Sequence, residues 1–148
     1  MLGGVDILID NVGTQTRVPD GVLAMTDADW LRDLSGSLLS AVRLDRALLP
    51  GMIAQGGGVI VHIGSNAARL PQPGALAYAS AKAGLATYSK GLANQMGVHN
   101  IRVNLVSPGV IESGRPLPSG SGDRNRNLAR ALNDVSSFCG IGCRQHRL

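Results

Sequence analysis

The amino-acid sequence predicts an α/β fold, a partial doubly wound parallel sheet with helices on both faces. Short runs of β-branched residues recur along the chain, each ends in a loop, and stretches with helical spacing separate them. Strands of a parallel sheet are buried on both faces, so they form nearly continuous apolar runs rather than alternating ones. A chain of 148 residues is long enough for one such domain with a sizeable core.

Three segments match this description of a buried strand: residues 5–9, 59–63 and 101–106. The first runs into the loop Asp-Asn-Val-Gly at residues 10–13, and the last ends at Ser-Pro-Gly, residues 107–109. Because the carboxyl ends of parallel strands meet at one edge of a sheet, we expect these loops to lie together.

Two long helices are predicted between the strands. Asp27 or Asp29 is expected to cap the first, which runs past Trp30 and whose regular part should end at residues 50–51, Pro-Gly. Its apolar stripe has spacings of three and four: Leu31, Leu34, Leu38 and Val42. The second helix spans roughly residues 75–96 and is rich in alanine, which suits close packing.

The charge of the chain is unevenly distributed. Residues 1–113 hold eight Lys/Arg and eight Asp/Glu, whereas residues 114–148 hold six arginines and two aspartates, so the net charge of +4 arises in the second part. We therefore expect a domain over residues 1–113 and a basic Gly/Pro/Arg-rich tail with a short helix after Asp123. The tail has one aromatic residue and no nucleic-acid motif, which argues against a nucleic-acid partner.

The sequence also bears on compartment and metal content. It has no apolar run near the roughly 20 residues that cross a bilayer, and its first residues lack a basic n-region. Two cysteines do not make a disulfide framework, so a soluble cytoplasmic protein without a membrane partner is expected. Cys139, Cys143 and His146 offer three metal ligands but lack a fourth, which favours free thiols and no metal.

The candidate chemistry centres on a tyrosine and a lysine. Tyr78 and Lys82 are four residues apart on the second predicted helix and so share a face. A free phenol has a pKa of about 10, and a nearby ammonium stabilises its ionised form; lowering such a pKa by about three units needs roughly 4 kcal/mol. The pair is therefore a rational acid/base device.

A serine stands at the edge where ligands bind open α/β sheets. Ser65 follows the strand at residues 59–63, and its hydroxyl can donate to a substrate oxygen while Tyr78 transfers a proton. A hydrolase triad of Ser65, His62 and an aspartate is an alternative, but no Gly-x-Ser-x-Gly elbow surrounds the serine. His62 is instead predicted to be a hydrogen-bonded core residue.

Five segments, in order, resemble motifs of the short-chain dehydrogenase/reductase family. Residues 7–13 resemble its Asn-Asn-Ala-Gly strand end, and residues 46–52 the end of its dimer helix. Residues 59–65 resemble the catalytic-serine strand, and Tyr-Ala-Ser-Ala-Lys at residues 78–82 is its Tyr-x-x-x-Lys motif. Residues 103–113 are similar to the Pro-Gly segment beside the nicotinamide.

The resemblance implies a Rossmann-like sheet, built from the family's fourth to sixth strands, and an NAD(P)-dependent carbonyl reductase or alcohol dehydrogenase. Tyr78 would be the general acid/base, Ser65 would orient the substrate oxygen, and Lys82 would stabilise the phenolate and hold the nicotinamide ribose. Ser37 stands where the family has the asparagine of its proton relay. The cofactor, NAD or NADP, would be bordered by Asn11, Gly13, Tyr78, Lys82, Pro108, Gly109, Ile111 and Ser113.

The sequence also departs from the family's pattern. The first strand–helix units, with the glycine-rich pyrophosphate loop and the residue that selects NAD or NADP, are not found. Asp10 and Ser113 replace the usual Asn and Thr. We therefore expect the chain alone to bind the cofactor weakly and to leave the edge of its first strand bare.

Two functions follow as hypotheses. The first is an oxidoreductase that acts on a small-molecule carbonyl or alcohol and forms a homo-oligomer through the helices around residues 30–50 and 75–96. The alternative is a non-catalytic truncated remnant that associates with itself or with an intact homologue.

Overall fold

The computed structural model describes residues 4–109, and the predictions for Ile111, Ser113 and the tail at 114–148 lie outside this range. The main elements alternate between strands and helices: β1 (Ile7–Asp10), α1 (Asp27–Leu34), α2 (Ser40–Ala54), β2 (Gly58–Ile63), α3 (Leu76–Met96) and β3 (Ile101–Val106). Short 3-10 turns lie at Val22–Ala24, Asn66–Ala68 and Gly97–His99, and a π-helical turn, Ser35–Leu39, joins α1 to α2.

The three strands form one parallel sheet in the order β1-β2-β3. Ile7 pairs with Val59, which in turn pairs with Arg102, and Asp10 pairs with His62. All three predicted strands and the α/β fold class are confirmed. β1 begins two residues later than predicted and includes Asp10.

The core lies between the sheet and the helices α2 and α3. One residue from each strand anchors it, namely Leu8, Ile60 and Ile101, with Met52 from α2 and Leu92 from α3. Successive strand residues point to opposite faces, so these contacts place both helices on the same face. The expectation of helices on both faces is therefore not met by the described residues. Both crossovers advance the same way across the sheet, and right-handed crossovers of this kind bring their helices to one side.

The N-terminus of α1 differs from the prediction. Thr26, rather than Asp27 or Asp29, is the N-cap, and its Oγ1 accepts a hydrogen bond from the Asp29 N–H at 3.2 Å. The Asp29 carboxylate accepts in return from the Thr26 N–H at 2.9 Å. This reciprocal capping box satisfies two backbone donors, which a lone aspartate cap would not do.

The end of the first long helix also lies elsewhere than predicted. α2 continues through Pro50 and Gly51 to Ala54. Pro50 has no N–H to donate to the Arg46 carbonyl, but Arg46 is exposed, where a missing backbone donor costs less than it would in the core. Met52, two residues after Pro50, is only 1% exposed in the core, and its packing holds the last turn of α2 in place.

Among the described residues, no helix is both long and apolar enough to cross a membrane.

Candidate active site

A cleft of about 370 Å³ opens at the carboxyl end of the sheet. The structure brings seven of the predicted site residues to its wall: Asn11, Gly13, Ser65, Tyr78, Lys82, Pro108 and Gly109. They come from the loops that follow β1, β2 and β3 and from the first turns of α3. The edge at which the strand-end loops meet is therefore the edge that the sequence predicted.

Lys82 is held in place by the backbone of two strand ends. Its Nζ donates to the Ile63 carbonyl at 2.7 Å and to the Val12 carbonyl at 3.4 Å. An ammonium has three N–H donors, so one remains for a ligand in the cleft. The Nζ lies 6.0 Å from the centre of the Tyr78 ring. Burial lowers the pKa of Lys82, and the Asp10 carboxylate opposes that shift.

Ser65 is fixed at the start of the short turn Asn66–Ala68. Its Oγ accepts a hydrogen bond from the Ala67 N–H at 3.1 Å, which leaves the hydroxyl proton free to be donated. The neighbouring Asn66 N–H donates to the Pro108 carbonyl at 3.0 Å and ties the loops after β2 and β3 together. The serine is thus positioned as a hydrogen-bond donor at the mouth of the cleft.

Ser37 does not line the cleft in the described structure. It is 1% exposed in the π-helical turn, where its Oγ donates to the Thr14 carbonyl at 2.8 Å and accepts from the Thr14 N–H at 3.0 Å. A methyl group on Gly13 would lie 3.5 Å from both the Ser37 Oγ and the Lys82 Nζ. Ser37 therefore holds the loop after β1 beside the lysine, and its part in a proton relay stays a prediction.

Five further residues line the cleft that the motifs did not single out: Val12, Thr14, Gln15, Ile63 and Gly64. Each lies within two positions of a predicted site residue in the sequence. Ile63 and Val12 contribute through their carbonyl oxygens, a role that residue type does not reveal. The available signal was their position at the ends of β1 and β2.

The comparisons with known proteins show the family of the chain. The family model for short chain dehydrogenases matches residues 1–117. The chain is 41% identical over 113 residues to nodulation protein G of Rhizobium meliloti (strain 1021), covering 76% of this chain and 45% of the relative. It is 39% identical over 132 residues to the 3-oxoacyl-acyl-carrier-protein reductase FabG of Escherichia coli K12, covering 89% of this chain and 48% of the relative.

A solved structure has the same architecture. A crystal structure from Sinorhizobium meliloti 1021, assigned to the short-chain alcohol dehydrogenases, matches with a TM-score of 0.74 and 30% identity and covers 89% of this chain and 51% of the other.

The parallel sheet and the cleft at its carboxyl end define an α/β protein of the Rossmann-like type. The chain belongs to the short-chain dehydrogenase family, whose members generally use a nicotinamide cofactor. It spans about half the length of the curated relatives that it matches. Family membership does not favour the alternative of a non-catalytic remnant.

Proposed function

We propose that this protein transfers hydride between NAD or NADP and a small carbonyl or alcohol substrate, with Tyr78 as the general acid/base. The observation that carries the proposal is the meeting of Tyr78, Lys82 and Ser65 at one cleft, at the carboxyl end of a parallel sheet. Ligands bind at this edge in open α/β sheets.

The three side chains divide the proton chemistry between them. The Tyr78 phenol donates its proton to the substrate oxygen during reduction and takes it back during oxidation. The Lys82 ammonium, 6.0 Å from the Tyr78 ring centre, stabilises the phenolate through its charge. The Ser65 hydroxyl keeps its proton available because its oxygen already accepts from Ala67, so it orients the same substrate oxygen.

The rim of the cleft fits a nicotinamide nucleotide. The bound nicotinamide would accept or release the hydride. Gly13 and Gly109 carry no side chain into the cleft, and no atom of residues 4–109 lies within 4 Å of a Cβ added at Gly109, which leaves room for a flat ring. Asn11 and Pro108 would border the cofactor, and the third N–H of Lys82 would bind a ribose hydroxyl. Ile111 and Ser113 remain predicted cofactor contacts.

The substrate proposal stays at the level of chemical class. One similar protein is named for the reduction of 3-oxoacyl groups on a carrier protein, and another, from Rhizobium meliloti, is called a probable galactose dehydrogenase. Both names describe the interconversion of a carbonyl and an alcohol, and that shared chemistry is what we extend to this protein.

The experiment is a nicotinamide oxidation and reduction assay on the protein at the length that its native cell makes. A panel of carbonyl and alcohol substrates is tested with both nucleotides. Tyr78→Phe should lower kcat by about 10²-fold or more because it removes the transferable proton. Ser80→Ala, an exposed hydroxyl on the same helix, is the matched control and should leave kcat unchanged. Turnover that survives Tyr78→Phe, or no nicotinamide-dependent turnover with any substrate, would overturn the proposal.

We also propose that the protein acts in the cytoplasm as a homo-oligomer formed through the outer faces of the first helical segment and α3. Leu39 and Leu44 are each 39% exposed and Ile53 is 37% exposed, so α2 and the turn before it present apolar side chains to the outside. Leu44→Glu should lower the sedimentation coefficient of the native protein. An unchanged coefficient would contradict this interface.

A further inference from the structure

A cluster of buried polar side chains lies behind the cleft, on the covered face of the sheet. Asp10 ends β1, His62 belongs to β2, and Asp45 comes from α2; their relative exposures are 6%, 0% and 0%. One ligand atom from each of the three lies within 4.8 Å of the others. None of the three side chains lines the cleft itself.

The hydrogen bonds of Ser89 determine which way the imidazole faces. The Ser89 hydroxyl donates its single proton to the Leu85 carbonyl at 2.7 Å, so it must accept from the His62 Nδ1–H, also at 2.7 Å. In the neutral imidazole the proton is then on Nδ1, and the lone pair of Nε2 points towards two carboxylates. It lies 3.1 Å from the Asp45 Oδ2 and 3.8 Å from the Asp10 Oδ2.

Among the residues that the structure describes, two carboxylate oxygens of this cluster have no hydrogen-bond partner. They are the Asp10 Oδ2 and the Asp45 Oδ1, and both are fully buried. Buried acceptors that face one another are costly unless a proton or a cation lies between them. A proton shared by His62 and Asp45 would serve one pair of atoms and leave the Asp10 oxygen unpaired. A divalent cation would serve all three groups, and its charge would balance two carboxylates and a neutral imidazole.

We propose that Asp10, Asp45 and His62 form a binding site for a first-row divalent metal ion such as Zn²⁺ or Co²⁺. Bonds of about 2.0–2.2 Å to nitrogen and oxygen place the ligand atoms of a tetrahedral ion about 3.3–3.6 Å apart, and the three residues would fill three of its four positions, with water as the fourth ligand. The observed separations of 3.1 and 3.8 Å bracket that spacing. A set of one imidazole and two carboxylates without a thiolate suits these ions and not soft monovalent copper.

The groups that hydrogen bond to His62 and Asp45 resemble those that usually hold metal ligands in place. The second ring nitrogen of a ligating histidine normally donates to an oxygen, as the His62 Nδ1–H does to Ser89. The Tyr88 hydroxyl donates to the Asp45 Oδ2 at 2.9 Å and holds that carboxylate in place. A bound ion would join β1, β2 and α2 directly behind Asn11, and so stabilise the base of the cleft.

The test measures Co²⁺ binding to the full 148-residue chain after removal of bound metal with a chelator. Because Cys139, Cys143 and His146 in the tail offer other ligands, the parent chain carries Cys139→Ser, Cys143→Ser and His146→Gln. We expect one Co²⁺ per chain, with visible absorption bands of a low-coordinate ion. Asp45→Asn and His62→Gln should each abolish the binding of Co²⁺ and its visible absorption bands. Ser89→Ala should weaken Co²⁺ binding by about 10–100-fold.

Asp33→Asn is the matched control. Asp33 is a buried carboxylate on α1 that accepts from Thr16 and lies outside the cluster, so this variant should bind Co²⁺ like the parent chain. Circular dichroism establishes which variants fold. A rise in Tm on adding Co²⁺ should appear in the parent and be absent in His62→Gln.

Two results would overturn the proposal. The first is a folded parent chain with no saturable Co²⁺ binding, or binding that both ligand variants retain. The second is a nitrogen NMR spectrum in which the His62 Nε2 keeps a proton in excess Zn²⁺, because a proton would then fill the place assigned to the metal.

Discussion

Lys82 connects three parts of the cleft through one nitrogen atom. Its Nζ binds the carbonyls that end β1 and β2 and lies beside the Tyr78 ring. Replacement by methionine would remove the charge and leave the Val12 and Ile63 carbonyls without their donor. Lys82 therefore contributes both the positive charge beside Tyr78 and the hydrogen bonds that hold two loops of the cleft.

We predict that Lys82→Met lowers the kcat of the native-length protein by about 10²-fold or more and raises the KM for the nicotinamide. Lys90→Met removes an exposed ammonium two turns further along α3 and should leave both constants unchanged. Steady-state kinetics with the nucleotide as the varied substrate check this. Equal constants for the two variants would show that Lys82 has no role in the cleft.

The site residues could be predicted from the sequence, but their hydrogen-bond partners could not. The motif spacing located Ser65, Tyr78 and Lys82, and the structure brings all three to one cleft. The motif spacing did not reveal that the Ser37 hydroxyl binds the backbone of Thr14, 23 positions away, because a hydroxyl forms hydrogen bonds with whichever group the fold brings near. His62 was predicted to be hydrogen bonded in the core, but its partner Ser89 comes from another element and could not be named.

At the scale of elements, the capping box of α1 makes a prediction about stability and pH. Bonds from Thr26 hold the pKa of Asp29 below its ordinary value of 3.8. A carboxyl whose pKa is lower in the folded state stabilises the fold above its unfolded pKa, and this contribution is lost as the pH falls through the folded pKa. The capping box should therefore stabilise α1 at neutral pH, and this stabilisation should be lost in acid.

We predict that Thr26→Ala lowers the free energy of unfolding by about 1 kcal/mol at neutral pH. The difference from the wild-type chain should shrink as the pH is lowered through the folded pKa of Asp29. Urea unfolding at a series of pH values measures this difference in the free energy of unfolding. Thr26→Ser keeps the hydroxyl and should behave as wild type. A difference that is the same at every pH would show that Asp29 takes no part.

The π-helical turn makes a second prediction at this scale. A Cβ added to Gly36 would overlap the Thr14 side chain, whereas one added to Gly51 in α2 would meet no atom within 4 Å. Gly36→Ala should lower the free energy of unfolding by about 1–3 kcal/mol through overpacking. Gly51→Ala should raise it by up to about 1 kcal/mol because alanine favours a helix.

Thermal or urea unfolding of the two alanine variants provides the comparison. Because Thr14 also lines the cleft, Gly36→Ala should in addition weaken nucleotide binding, and Gly51→Ala should not. Equal effects of the two substitutions on stability would mean that Thr14 moves aside without cost.

The elements themselves were more predictable than their ends. β2, β3 and α3 depend on apolar runs and helix-forming residues, which are local properties, and they were confirmed almost to the residue. The continuation of α2 past Pro50 depends on the burial of Met52, which only the folded core determines. Likewise the side of the sheet that a helix covers follows from the direction of both crossovers together, so the pattern of one segment does not reveal it.

At the scale of the whole molecule, the uncovered face of the sheet is the most consequential feature. Within residues 4–109 no helix packs on the side of β1 that bears Ile7 and Ile9, which are 64% and 63% exposed. β1 is also the outer strand of the sheet, so the described structure leaves one of its backbone edges unpaired. An apolar surface beside an open edge favours pairing with another chain.

We predict that the 148-residue chain on its own sediments as a polydisperse mixture whose mean size grows with concentration. Replacing both isoleucines, Ile7→Thr and Ile9→Thr, should convert it to one discrete species, because threonine keeps the strand preference and removes apolar surface. Leu23→Thr is the control: Leu23 is 98% exposed but lies in a turn away from the sheet, so its loss should leave the mixture unchanged. If the parent chain sediments as a single species at all concentrations, the uncovered face does not drive association, and the unpaired edge of β1 is protected in some other way.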